Sequence, residues 1–227
     1  MLGLDLLKAK ARAGLLHLII SALAVGVLAW LTLTVWYPDG LATLQGVWKI
    51  LGLVAAVDVI LGPALTVLVY KPRKRTLVFD LSVIALIQIA ALTYGAWTIS
   101  AQRPAYLAYM YDRFFVVTAR DILDEPPATV QAIEAWRGGP RPVFVRLSFA
   151  ASQEAAANAA TAFDTPAMAL LSNAYAPLPE HLDQFTQTST AEAAGSPVLV
   201  IPVIGRQAQG TAEVDRQSGQ LLHIGAN

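Results

Sequence analysis

Apolar residues are continuous along three stretches of the first hundred positions and then become intermittent. From Ala13 to Trp36 the chain reads AGLLHLIISALAVGVLAWLTLTVW without a formal charge; further runs extend from about Lys49 to Tyr70 and from Leu77 to Ile99. Each reaches the roughly 20 residues that an α-helix needs to cross hydrocarbon, so the pattern predicts transmembrane helices over about 13–36, 49–70 and 77–99. The basic start at Lys8, Lys10 and Arg12 and the Ala22-Leu23-Ala24 tripeptide have the look of a cleaved signal peptide. The apolar run continues well past that tripeptide, and the segment reads as a permanent anchor.

From Gln102 onward apolar and polar positions mix, and turn residues appear. The stretch AYLAYMYDRFFVVTA is aromatic and β-branched, as strands are, and Thr118 with Asp121 resembles a cap opening a short helix that Pro126-Pro127 ends. ATVQAIEAW reads as a helical turn or two, GGPRP at 138–142 as a loop delivering the strand VFVRLSF, and SQEAAANAATAF from Ser152 as an alanine-rich helix. Pro166 is placed to open another helix, PAMALLSNAY. The end, PVLVIPVIGRQAQGTAEVDRQSGQLLHI, reads as three antiparallel strands with bends at Gly205–Gln209 and Arg216–Gly219. The predicted fold class is an integral membrane three-helix bundle (residues 1–100) followed by a small α+β domain with a mainly antiparallel sheet (101–227).

Composition agrees: 56% of residues are hydrophobic and 14% charged, against roughly 45–50% and 25% in an ordinary soluble domain. The net charge of zero conceals two halves. Up to Ser100 there are eight basic residues and four acids, giving +4, so the remainder carries −4; every lysine lies in the first half. This split argues against a nucleic-acid binder. With Cys absent, disulfide scaffolds, Cys-based metal sites and thiol catalysis are excluded. Lys8, Lys10 and Arg12 before the first run, and Lys71, Arg73, Lys74 and Arg75 between the second and third, belong on the cytoplasmic side. Trp36, Tyr37, Trp48 and Trp97 would then form an outer aromatic belt, and residues beyond about 101 lie outside, in the periplasm of a bacterium with two membranes.

Four polar residues fall inside the apolar runs. Asp58 and Gln88 lie near the middle of the second and third, and His17 and Asp80 about a turn in from the cytoplasmic ends of the first and third. A lone aspartate at mid-membrane costs at least a few kcal/mol, so it must face protein, be paired or be protonated. Pro63 lacks the N–H that would bond the Val59 carbonyl, freeing that carbonyl beside Asp58. Each layer reads either as glue between helices or as a receiver for a polar group on another membrane helix; with three spans and no internal repeat, transport is the weaker reading.

Catalytic signatures are missing: no GxSxG, HExxH, P-loop or GxGxxG occurs, and the Glu180-His181-x-Asp183 spacing and His223 match no metal-ligand pattern. No cofactor or metal is expected. Asp112-Arg113 is either a turn with a local ion pair or a binding contact.

Taken in order, the motifs Trp36-Tyr37-Pro38, Asp58 with Leu61-Gly62-Pro63, Lys71-Pro72, Phe79-Asp80-Leu81 and Asp112-Arg113-Phe114 resemble the TfpX/TfpZ type IV pilin accessory protein family. The likeness covers about residues 13–122 closely and departs most over 150–195. It implies a non-enzymatic inner-membrane protein of Gram-negative bacteria that binds a major pilin, with other pilus assembly components as further candidate partners, and assists or modulates type IV pilus assembly. Pilins before assembly are held by one hydrophobic N-terminal helix, and Asp58 or Asp80 would face its buried glutamate or terminal amine. The resemblance implies no small-molecule substrate. The competing expectation is a membrane-anchored enzyme that modifies pilin or envelope glycans through the periplasmic domain.

Overall fold

The computed structural model describes residues 2–122, 124–125, 127–131, 138–146, 167–187 and 196–226, which form two compact units. Unit one comprises Met1–Leu31 and Val47–Ser100 and unit two comprises Thr32–Gly46 and Ala101–Asn227.

Three helices are long and apolar enough to cross a membrane, Gly3–Trp36, Val47–Val69 and Leu77–Ala101, and all but Thr32–Trp36 and Ala101 lie in unit one. The first consists of α1 (Leu2–Leu31) and a π-helical turn (Thr32–Trp36). Its helix thus begins well before Ala13, carried by the good helix formers Lys8, Lys10 and Arg12. The short α2 (Leu41–Gln45) follows, and belongs to unit two. The second long helix is α3 (Val47–Ala55), a π-helical segment (Ala56–Leu61) and α4 (Gly62–Val69). It ends where Tyr70 turns extended, ahead of Lys71-Pro72, since proline disfavours helical geometry in the residue before it. The third is α5 (Leu77–Ala101). The first helix packs along the second, chiefly on α4 and the π-helical segment.

Unit two is built on one seven-stranded sheet. Its strands are β1 (Pro104–Met110), β2 (Arg113–Thr118), β3 (Arg141–Val145), β4 (Tyr175–Pro177), β5 (Val198–Ile204), β6 (Gln209–Asp215) and β7 (Leu221–Ala226), in the order β4-β3-β1-β2-β5-β6-β7. The sheet is mixed, which corrects the expectation of a mainly antiparallel one: β1 pairs parallel with β3 (Tyr106 opposite Arg141) and β2 parallel with β5 (Phe114 opposite Val203). The intervening connections are long enough to carry the chain back across the sheet, so β3 and β5 flank the central hairpin in parallel. The three closing strands are antiparallel, as the sequence predicts. Tyr106, Ala108, Met110, Phe115, Val117, Val143 and Val145 line the core on one face, against Val130 of α6 (Ala128–Gln131) and Leu170, Leu171 and Tyr175. The buried Tyr175 hydroxyl donates to the Ala169 carbonyl, and burial pushes its pKa above the usual tyrosine value.

Three local expectations change. AYLAYMYDRFFVVTA is a hairpin rather than one strand, turning at Tyr111-Asp112, both with positive φ (51° and 61°). This is the geometry of a type I′ turn, usually the province of Asn-Gly. Thr118 does bond Asp121, through both its backbone carbonyl and its hydroxyl (2.6 Å), but closes a turn and starts no helix. Ala167–Leu170 and Ser172–Ala174 are 3-10 turns, the second tied by the Asp124 carboxylate, which accepts from Ser172 N (2.5 Å) and Asn173 N (3.0 Å). The alanine-rich stretch from Ser152 and most of ATVQAIEAW lie outside the described residues.

Residues 32–46, which a division at Ser100 counts with the membrane half, fold into unit two. Gly40 N donates to Ile224 O (3.0 Å), Leu44 O accepts from Gln207 N (2.8 Å), and Leu41 and Leu44 are fully buried. Tyr37 is 1% exposed, so it stands in this core and not in an interfacial aromatic belt. Arg206 fixes the adjacent turn through Gln102 Oε1 (3.1 Å) and Asp121 (2.7 Å). Leu44→Ala is expected to destabilise unit two by about 2–5 kcal/mol, measured by protease susceptibility of the full-length protein in detergent against denaturant; an unchanged midpoint would make the segment a mere connector.

Candidate functional site

The polar chemistry of unit one starts from a missing hydrogen. Pro63 cannot donate to the ladder, and just before it the Gly62 N–H reaches back five residues to Val57 O instead of four to Asp58 O. That wide turn is the π-helical segment, a form often found at functional positions. The released carbonyl with a new partner is therefore that of Asp58, where the sequence pointed to Val59: Gln88 Nε2 of α5 donates to Asp58 O at 3.1 Å. Gly62 makes room for this bond, because a Cβ there would overlap the Gln88 side-chain amide.

Asp58 and Gln88 are thus joined through the backbone of one and the side chain of the other. Asp58 itself is 3% exposed, and its Oδ1 has no hydrogen-bond partner among the described residues. His17 pairs with Thr66, Nδ1 to Oγ1 at 2.6 Å, and forms no layer with Asp80. Asp80 lies in the first turn of α5 beside the basic loop between the second and third long helices, held by Lys74 Nζ at 2.5 Å and Thr76 Oγ1 at 3.2 Å. A carboxylate suits the positive end of a helix dipole, and this pair, partly open to solvent, contributes little stability.

Two adjoining cavities lie along the polar residues. One of about 180 Å³ is lined by Asp58, Gln88, His17 and Ser21 among apolar neighbours; the other, of about 660 Å³, runs past His17 and Thr66 to Arg12 and Tyr70. Both are walled by α1 on one side and α5 on the other, with the second helix as floor. Elsewhere, Asp112 and Arg113 stand in and beside the β1–β2 turn. The Tyr109 hydroxyl donates to Asp112 Oδ1 (3.3 Å) and Arg113 Nε to Tyr111 O (3.3 Å), both local to the hairpin. His181 stacks on Phe144 at 4.3 Å, and His223 Nδ1 lies 3.6 Å from Asp39. Among the described residues no group of three His, Asp or Glu could hold a metal ion.

Sequence reasoning missed Thr66 and Ser21, and had Gly62 only as part of the Leu61-Gly62-Pro63 motif, without its fit to Gln88. Thr66 was findable by depth: it precedes Lys71 by five residues, as His17 follows Arg12 by five, which places both one turn inside the same basic boundary. Ser21 lies one turn beyond His17 on the same face of α1.

Comparison with known proteins bears on the same segments. The family description "Fimbrial assembly protein FimB" matches residues 5–46. That stretch comprises the helix carrying His17 and Ser21 and the segment that buries Tyr37, Leu41 and Leu44 in unit two. The fimbrial assembly protein of serogroups C1 and C2 from Dichelobacter nodosus is 34% identical over 115 residues, covering 88% of that relative and 49% of this chain. The chain belongs to the fimbrial assembly protein family. The family's serogroup I protein from the same organism is 35% identical over 128 residues, 55% of this chain; the match spans about half (49%) of that relative's length. No solved structure matches. The resemblance to type IV pilin accessory proteins is borne out at the level of this family.

The fit of Gly62 to Gln88 yields a test. Gly62→Ala forces the Gln88 amide off the Asp58 carbonyl and is expected to cost about 1–3 kcal/mol. Gln88→Leu should cost a similar amount, and the double variant less than the sum, because both break one interaction. Thermal unfolding of the three variants in detergent measures this; strict additivity would contradict it.

Proposed function

We propose that this protein sits in the bacterial inner membrane, with its N terminus in the cytoplasm and unit two in the periplasm, and that it binds pilin and assists type IV pilus assembly without catalysing a reaction. The observation that carries the reading is the membership in the fimbrial assembly family, joined to a membrane unit with an apolar groove between its helices that holds the few polar residues His17, Thr66, Asp58 and Gln88. The basic residues flanking the first helix and between the second and third support the orientation. His17 with Thr66 and Gln88 with the Asp58 carbonyl join the helices of unit one, and Tyr109 bonds Asp112 within the β1–β2 hairpin, bonds that suit a scaffold for binding.

Deletion of the gene should reduce surface pili while leaving the pilin in the membrane at its normal electrophoretic mobility and mass. Immunoblotting of sheared pili and intact-mass measurement of pilin check both. A mass change in pilin on deletion would instead favour an enzyme that modifies it, and full piliation would reject an assembly role.

A further inference from the structure

The groove of unit one is open along one side of α1, and its lining has a definite chemistry. Ala9, Ala13, Ser21 and Ala24 of α1, with Ala85 of α5, present small side chains along it. From Ala9 to Ala24 the strip is about 22 Å long at 1.5 Å per residue, most of the roughly 30 Å hydrocarbon thickness. Large apolar residues on either side, Leu16, Ile20 and Ile89, are exposed at its rim. In the inner cavity stands Asp58, buried yet with Oδ1 unpartnered.

These features select among occupants. A lipid acyl chain would fill the volume but offers no donor, leaving a carboxyl oxygen unsatisfied in an apolar setting, where it costs several kcal/mol. A helix suits both features: small residues let two backbones approach closely, and a donor on the incoming helix satisfies Asp58. We propose that the groove between the first and third long helices seats one further transmembrane helix, supplied by a partner protein, that carries an amine or other hydrogen-bond donor at the depth of Asp58. For the identification of that partner as pilin, the proposal rests on the function proposed above; for the site and its chemistry it does not.

The test places a photo-crosslinking amino acid at Leu16 or Ile89, on the groove rim, and at Ile60, an exposed residue of the second helix outside the cavity lining, in full-length protein in cells that make pili. The expected result is an adduct with a protein carrying a membrane helix at Leu16 and Ile89 and none at Ile60. Asp58→Leu lowers the yield about tenfold, the weight of one interhelical hydrogen bond, and Asp58→Asn, which keeps an acceptor oxygen, restores part of it. Ala85→Trp, which fills the groove without altering Asp58, lowers the yield as well; membrane levels and protease resistance of unit two establish that each variant is folded. Lipid adducts alone, equal yields at Ile60, or yields indifferent to both Asp58→Leu and Ala85→Trp would overturn the groove. Pilin captured only through unit two would overturn it while leaving the functional reading intact, whereas a groove adduct with a protein other than pilin would support the groove and reject pilin as its occupant.

Discussion

The bond from the Gln88 amide to the Asp58 carbonyl is the interaction on which the membrane unit depends. Hydrocarbon offers a backbone carbonyl no water, so a break in the helical ladder survives only where another helix supplies a donor. Here the break is made near Pro63 by the five-residue reach of Gly62, and the donor arrives from α5 because Gly62 has no side chain to keep it away. The same turn faces the Asp58 side chain into the inner cavity. One carbonyl is satisfied within the chain, while a carboxyl oxygen beside it is left unsatisfied. His17 and Thr66 show the contrasting case, two polar groups of the same unit that satisfy each other.

Unit two follows a different logic, because its polar backbone is paired within a sheet and its side chains serve turns and edges. The tight Tyr111-Asp112 turn holds two residues other than glycine in left-handed geometry, supported by Tyr109 and Arg113. At the other end of the chain, Asp215 accepts from the Ser218 amide and hydroxyl (both 2.7 Å) and from the Gln217 amide (3.1 Å), which holds its carboxyl below the usual aspartate range. Against β7 and the β5–β6 turn lies the 32–46 segment, whose Leu41 and Leu44 are as deeply buried as any residue of the sheet. The C-terminal fold is therefore completed by residues that precede the second long helix.

Much of this was legible in the chain and some was not, for physical reasons. Long uncharged runs admit few structures besides membrane helices, and alternation punctuated by Gly205 and Ser218-Gly219 announces hairpins. Parallel pairing of β1 with β3 leaves no local trace, because it depends on where a long connection returns the chain. A turn at Asp112-Arg113 is among the readings of the chain, but its place at 111–112 is not marked for lack of Gly or Asn, and the fate of Tyr37 is hidden because Trp-Tyr-Pro next to an apolar run reads equally as an interfacial anchor. Within the membrane unit, counting residues from the basic boundaries gives depth but not azimuth. It therefore placed Asp58 level with Gln88, yet gave no sign that the Gln88 amide donates to the Asp58 backbone carbonyl, or that Asp80 turns back to Lys74.

What remains after the internal bonds are counted is a buried acceptor on the second helix facing a strip of small residues, and the central question is whether a partner helix satisfies it. Infrared difference spectroscopy of the Asp58 carboxyl, with the protein in lipid vesicles and purified pilin added, reads that oxygen directly. The account predicts a carboxyl band that shifts when pilin is added and is missing from the Asp58→Asn spectrum. Binding of pilin with the Asp58 band unmoved would contradict it.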